Sequence, residues 1–205
     1  MFVDISMPIE EGSVFRPGCA PVDISVHTFS NETEGTYEAA VLTMPLHTAT
    51  HIDFVFPGKE FPMERMIGPC RVFDVTKAGG GTFGLKDLGK NPEADKGDFI
   101  FFRTNWNRFF GTDKYFEHPE ISMEVLNWLI LKRINVVGID AQGLARGTRH
   151  GEYDRLMLKN DIPVVENLVN LTVLPESGFT VYCIPVKIEN ADALPVRVVA
   201  EIKKE

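Results

Sequence analysis

The sequence is that of a mixed α/β layer, rich in strands and poor in helices, forming one domain over residues 1–205. Three observations carry this reading. Short apolar or alternating runs recur along the chain, whereas only residues 122–132 and 153–159 show helical character. The 205 residues suffice for one sizeable core. No repeat or low-complexity tract divides the chain. Strands outnumbering helices suggest a mixed arrangement rather than a regular βαβ series.

The elements follow in order. Residues 2–6 read as a first strand, and Pro17, Gly18 and Pro21 mark a loop. Residues 22–29 alternate as a strand, 30–35 are polar and loose, and 37–46 form another strand leading into a histidine-rich segment. Pro57-Gly58 closes a turn. Residues 70–75 form a short apolar strand, followed by the break Gly79-Gly80-Gly81. Gly97-Asp98 introduces the buried-looking strand 99–103. Residues 122–132 place Val125, Leu126, Leu129 and Ile130 on a helical stripe, with Ser122 as cap. Strand 134–139, helix 153–159 and strands 163–166, 179–186 and 196–202 complete the chain.

Composition narrows the function. Hydrophobic content of 44% and charged content of 24% are those of an ordinary globular protein. A net charge of -8 without a basic cluster argues against nucleic acid, whose affinity rests largely on Lys and Arg at phosphates. Cys19, Cys70 and Cys183 are odd in number and scattered, which fits free thiols in a reducing cytoplasm better than a disulfide framework. Residues 1–11 lack a signal-peptide pattern, and no apolar run is long enough to span a membrane.

The segment His47-Thr48-Ala49-Thr50-His51-Ile52-Asp53 carries the chemistry. Imidazole nitrogens with a carboxylate oxygen hold zinc or manganese and leave positions open for water, which points to a hydrolase. On a straight strand His47 and His51 would lie about 13 Å apart, too far to share an ion. On a helix Asp53 would face away. Thr48, Thr50 and Ile52 favour extended backbone. The expectation is therefore a strand that bends or ends between the histidines, so that all three side chains converge. The competing reading is two edge histidines and a turn aspartate.

Other features are weaker. Gly79 to Gly81 match no phosphate loop, and no G-x-S-x-G elbow is present. Cys70 reads as a buried structural thiol, His118 as a surface turn residue and His27 as a packing residue. Trp106 follows a buried strand and is a candidate pocket-lining side chain. Phe54 and Phe56 either make the site mouth apolar, fitting a small apolar or aromatic substrate, or belong to the core.

The whole pattern resembles the metal-dependent cyclase family, which includes bacterial kynurenine formamidase and isatin hydrolase. Asp4-Ile5-Ser6 with Pro17-Gly18 resembles the family's opening, and HTATHID its H-x-G-T-H-x-D ligand motif. Gly97-Asp98 with Arg103-Thr104-Asn105-Trp106, Val137-Gly138-Ile139-Asp140 and Glu166-Asn167-Leu168 resemble three later signatures. Residues 184–188 with Pro195-Val196-Arg197 and Ala200 resemble the closing segment. The resemblance implies a swivelling β/β/α fold and a homodimer or homotetramer. It also implies hydrolysis of an amide bond, in an aryl formamide or a cyclic amide, by metal-activated water. It assigns His47, His51, Asp53 and Glu166 as metal ligands.

Three departures alter that pattern. Phe54-Val55-Phe56-Pro57 replaces the family's D-A-P-x-H continuation, whose histidine moves protons. Asp154 stands where dinuclear members carry a histidine, and His150 lies four residues earlier, out of register. Ala49 replaces a glycine, a mild change unless that backbone needs positive φ. Asp154 is then either an oxygen ligand for a second ion or the general base of a mononuclear site; the expectation adopts it as base. The alternative to a hydrolase is an impaired relative that keeps the fold as a metal-binding or small-ligand-binding oligomer.

Overall fold

The computed structural model describes residues 1–53 and 62–203. In chain order the strands are β1 (Phe2–Asp4), β2 (Asp23–Asn31), β3 (Gly35–Thr43), β4 (His51–Asp53), β5 (Ile67–Asp74), β6 (Thr82–Phe83), β7 (Phe99–Arg103) and β8 (Glu120–Ile121). Helix α1 (Met123–Lys132), β9 (Val136–Ile139), α2 (Thr148–Lys159), β10 (Val164–Glu166), β11 (Phe179–Pro185) and β12 (Ala193–Ile202) follow. Short 3-10 turns fill several connections.

The main sheet runs β1-β12-β11-β5-β7-β9-β10-β4, and β4 also pairs with β12. That second pairing closes the sheet into a barrel, with β1 outside the ring. The strands β5, β7, β9 and β10 run parallel to one another, and the other pairings of the ring are antiparallel. Parallel strands covered on both faces read as continuous apolar runs, which explains Phe-Ile-Phe-Phe in β7. Phe99 and Phe101 point into the barrel with Ile52, Val72, Val165, Val181 and Val198. Ile100 and Phe102 point outward, against Val125, Leu126 and Leu129 of α1 and Met157 of α2. Gly138 on β9 is forced by this packing: a Cβ there would lie 2.6 Å from the Phe101 ring.

The strand-rich α/β fold agrees with the sequence reading, and among the described residues there are only two α-helices. Ser122 caps α1 by accepting from the Val125 amide, as its position suggests. Three local expectations change. Helix α2 starts at Thr148, five residues before the predicted start, because the polar residues of its first turns hide the apolar period. His118 is buried, with Nδ1 against the Pro119 carbonyl, and burial pushes its pKa down. His27 lies exposed on β2, beside Ser25 and stacked on Phe29, rather than packed in a core. No helix among the described residues is long and apolar enough to cross a membrane.

Candidate metal centre

Strand β3 ends at Thr43, and the chain turns before β4 begins at His51. This break removes the separation that a straight strand would impose. The His47 and His51 rings lie 5.2 Å apart, and each Nε2 is 3.4 Å from Asp53 Oδ1. His51 and Asp53 share the outer face of β4, while Ile52 points into the barrel. His51 pairs across the sheet with Glu166 of β10, so its Nε2 lies 3.4 Å from Glu166 Oε2. The period of two thus puts three ligand-type side chains on one patch of the barrel wall.

Helix α2 covers that patch. His150 and Asp154 are one turn apart and share a helical face. His150 Nε2 sits 3.3 Å from Asp154 Oδ2 and 3.6 Å from Glu166 Oε1. Two groups result, His51–Asp53–Glu166 and His150–Asp154–Glu166, and within each the ligand atoms lie within 4.8 Å of one another. Glu166 belongs to both, one oxygen toward each. His150 was missed in the sequence because it is out of family register; the H-x-x-x-D spacing on a helix was the available signal.

The surroundings hold these groups in place. His51 Nδ1 donates to the Ala49 carbonyl at 3.0 Å, which turns Nε2 toward the carboxylates. Asn167 Nδ2 donates to the same carbonyl at 2.8 Å, and the Tyr115 hydroxyl donates to Asn167 Oδ1. Thr50 accepts from the Met7 amide and donates to the Asn167 carbonyl. Ala49 has φ +52, so the backbone does need the left-handed region, at a cost of about 1–2 kcal/mol for a residue with a Cβ. Gly143 is required for a different reason. A Cβ on it would lie 2.4 Å from the His150 ring and 2.8 Å from Glu166 Oε1.

Two sequence signatures prove to be scaffold. Asp140 accepts from the Thr104 amide, the Thr104 hydroxyl and the Asn105 amide, tying the end of β9 to the end of β7. Trp106 is core rather than pocket lining: it is 6% exposed, and its indole donates to the Lys114 and Tyr115 carbonyls. An indole has only one donor, and here packing and the two carbonyls consume the side chain. Phe54 and Phe56 lie outside the described residues.

Charge is concentrated here. Burial works against a cationic His51, but Asp53 and Glu166 outweigh it and push the imidazole up to about 10. Burial works against an ionised Glu166, yet His51, His150 and Arg16 hold it down at about 2. Burial and the Glu166 and Asp53 charges push Asp154 well above the usual carboxylate range.

Whether a metal fits is decided by the unpaired atoms. Among the described residues, the buried side-chain polar atoms without a hydrogen-bond partner are His51 Nε2, Asp53 Oδ1, Asp154 Oδ1 and both Glu166 oxygens. Each such atom costs about 1–3 kcal/mol, and more when charged, against a total stability of about 5–15 kcal/mol. Five of them converging on two adjacent points are accounted for by a cation, not by chance. Two imidazoles with carboxylates suit zinc or manganese.

Comparison with known proteins agrees with this geometry. The profile of a family described as "Putative cyclase" matches residues 3–146. The chain belongs to the cyclase family. Kynurenine formamidase of Bacillus cereus is 26% identical over 97% of this chain and 96% of that enzyme, so the likeness extends through α2 and β10. A structure described as "predicted metal-dependent hydrolase", from Bacillus stearothermophilus, superimposes with a TM-score of 0.79 at 26% identity, covering 98% of this chain and 97% of that one. Isatin hydrolase A of Ralstonia solanacearum shares the fold, with a TM-score of 0.81 at 19% identity over 99% of this chain and 92% of that one.

Proposed function

We propose that this chain is a metal-dependent hydrolase of a non-peptide amide bond, in an aryl formamide or a cyclic amide. The observation that carries the reading is the set of five unpaired buried ligand atoms on His51, Asp53, Asp154 and Glu166. Membership of the cyclase family and the likeness to kynurenine formamidase supply the reaction class.

His47, His51, Asp53 and Glu166 would hold a zinc or manganese ion. Such an ion supplies Lewis acidity toward an amide carbonyl and toward water. His51 is oriented by the Ala49 carbonyl, which also accepts from Asn167 Nδ2. Asp154 faces the same carboxylate from α2, with Oδ1 buried and unpaired. It accepts the proton of the attacking water and returns it to the departing amine, in place of the histidine absent after Asp53.

A second reading is favoured by the compact group His150–Asp154–Glu166, in which Asp154 and His150 hold a second ion. One variant separates the two. Under the first reading Asp154→Asn keeps its metal content and loses about 10²- to 10⁴-fold in turnover on formyl-anilines, cyclic imides or isatin-like lactams. Loss of one of two ions per subunit assigns Asp154 as a ligand. A metal-loaded wild-type protein inactive on all three substrate classes would refute the hydrolase and leave a metal- or small-ligand-binding relative.

The setting proposed is a cytoplasmic homo-oligomer, a dimer or tetramer. Free, buried Cys70 and Cys183 suit a reducing compartment. The hairpin β2–β3 supports self-association: Ile24, Val26 and Leu42 are exposed on one face and Phe29 and Tyr37 on the other. A lone two-stranded hairpin is marginal in water, so a covering partner would stabilise it.

A further inference from the structure

Arg16 brings a cation to the metal centre from the loop between β1 and β2. Its Nη2 donates to His150 Nε2 at 2.8 Å, across 134 residues of sequence. A guanidinium only donates, so this His150 nitrogen accepts, and Nδ1 carries the hydrogen toward the Ala145 carbonyl at 3.2 Å. The loop is clamped around Arg16. Phe15 is buried and stacked on Phe110 at 4.7 Å, and its carbonyl accepts from Gln142 Nε2 at 2.7 Å. The Cys19 amide donates to the Arg16 carbonyl, and Ser13 and Val22 close the loop behind it.

The choice of partner is informative. Asp53, Asp154 and Glu166 all lie in this centre, yet Arg16 makes no ion pair among the described residues and bonds a ring nitrogen of His150 instead. Its charge acts on Glu166 and Asp154 without a direct ion pair, and most of its N–H fork is unused. One divalent ion beside three carboxylates also leaves the centre short of positive charge, which would repel an anionic substrate. A held guanidinium offsets that repulsion and matches a carboxylate with two parallel hydrogen bonds.

We infer that Arg16 is a specificity-determining residue that receives a carboxylate on the substrate, so that the preferred substrates are amides carrying an acidic group. This rests on the hydrolase reading for its reaction. Its binding part is testable without turnover. The probes are the non-hydrolysable products 4-aminophenylacetate and its neutral counterpart 4-methylaniline, titrated calorimetrically into metal-loaded wild type, Arg16→Met and Arg16→Lys. Metal content and near-ultraviolet circular dichroism equal to wild type establish an intact site, and Arg16→Lys serves where Arg16→Met does not fold.

Arg16→Met is expected to weaken 4-aminophenylacetate roughly 10- to 100-fold while 4-methylaniline changes less than about threefold, with Arg16→Lys between. With 4-formamidophenylacetate and 4-formamidotoluene as substrates, the ratio of their kcat/KM values should fall by the same factor. Equal losses for both ligands, no loss for either, or no binding of 4-aminophenylacetate by wild type would overturn the inference. Wild type that binds the acid in an Arg16-dependent way but cleaves neither formamide would refute the hydrolase reading alone.

Discussion

Removing and restoring the metal should move thermal stability by an amount that can be worked from the site. The metal-free centre buries five unpaired ligand atoms, and an ion on His51, Asp53 and Glu166 gives a partner to those that face it. At a free metal concentration a hundredfold above its Kd, binding adds about 2.7 kcal/mol to the native state. For a chain of this length each kcal/mol is about 2–4 °C in Tm, so the swing between chelator and metal is about 5–11 °C. Its pH dependence has a definite sign. His51 sits at about 10 in the metal-free fold against 6.5 ordinarily, so its proton adds stability below pH 6.5 that is lost as pH rises through 10. Metal must displace that proton, so Kd should tighten about tenfold per pH unit in this window. The swing should therefore widen from pH 6 to pH 8 at constant free metal. Calorimetry or fluorimetry of wild type and Glu166→Gln, with chelator and with Mn²⁺ or Zn²⁺, measures it. Glu166→Gln weakens a ligand common to both groups and should lose most of the swing. A wild-type swing below about 1 °C, or one that Glu166→Gln retains in full, would refute the reasoning.

Two further outcomes follow from the same geometry. Gly143→Ala forces a Cβ to 2.4 Å from the His150 ring at φ +94. It should cost about 1–3 kcal/mol and weaken metal binding, read by denaturant unfolding and metal titration, whereas wild-type values for both would contradict the placement of His150. Val26→Asp with Leu42→Asp puts charge on the exposed hairpin face and should shift light scattering from dimer or tetramer toward monomer; an unchanged oligomer would exclude that face as the contact.

Much of this was legible in sequence because period-two alternation is legible. The apolar run of β7 announced a strand covered on both faces, and HTATHID could converge only if the strand broke before His51. The turn after Thr43 supplies that break. The shared role of Glu166 was not legible from spacing, since it depends on β10 pairing antiparallel with β4 across more than a hundred residues. His150 was hidden by a one-turn displacement on α2, which keeps a side chain on the same helical face while changing its place in an ordered motif. Trp106 misled because a polar stretch after a buried strand resembles a pocket loop, yet the polar groups there turn inward to bond Asp140 and two carbonyls. Ala49 carried a readable warning: its glycine counterpart in the family signalled positive φ, and the fold keeps that conformation with the Asn167 and His51 bonds to its carbonyl.

The central claim is a divalent ion on His51, Asp53 and Glu166. Elemental analysis and metal titration of purified wild type beside His51→Ala test it most directly, because His51 Nε2 is buried and turned toward both carboxylates. The expected result is at least one tightly held zinc or manganese ion per wild-type subunit, with a loss of tenfold or more in affinity in His51→Ala. Equal metal content and equal affinity in the two proteins would contradict it.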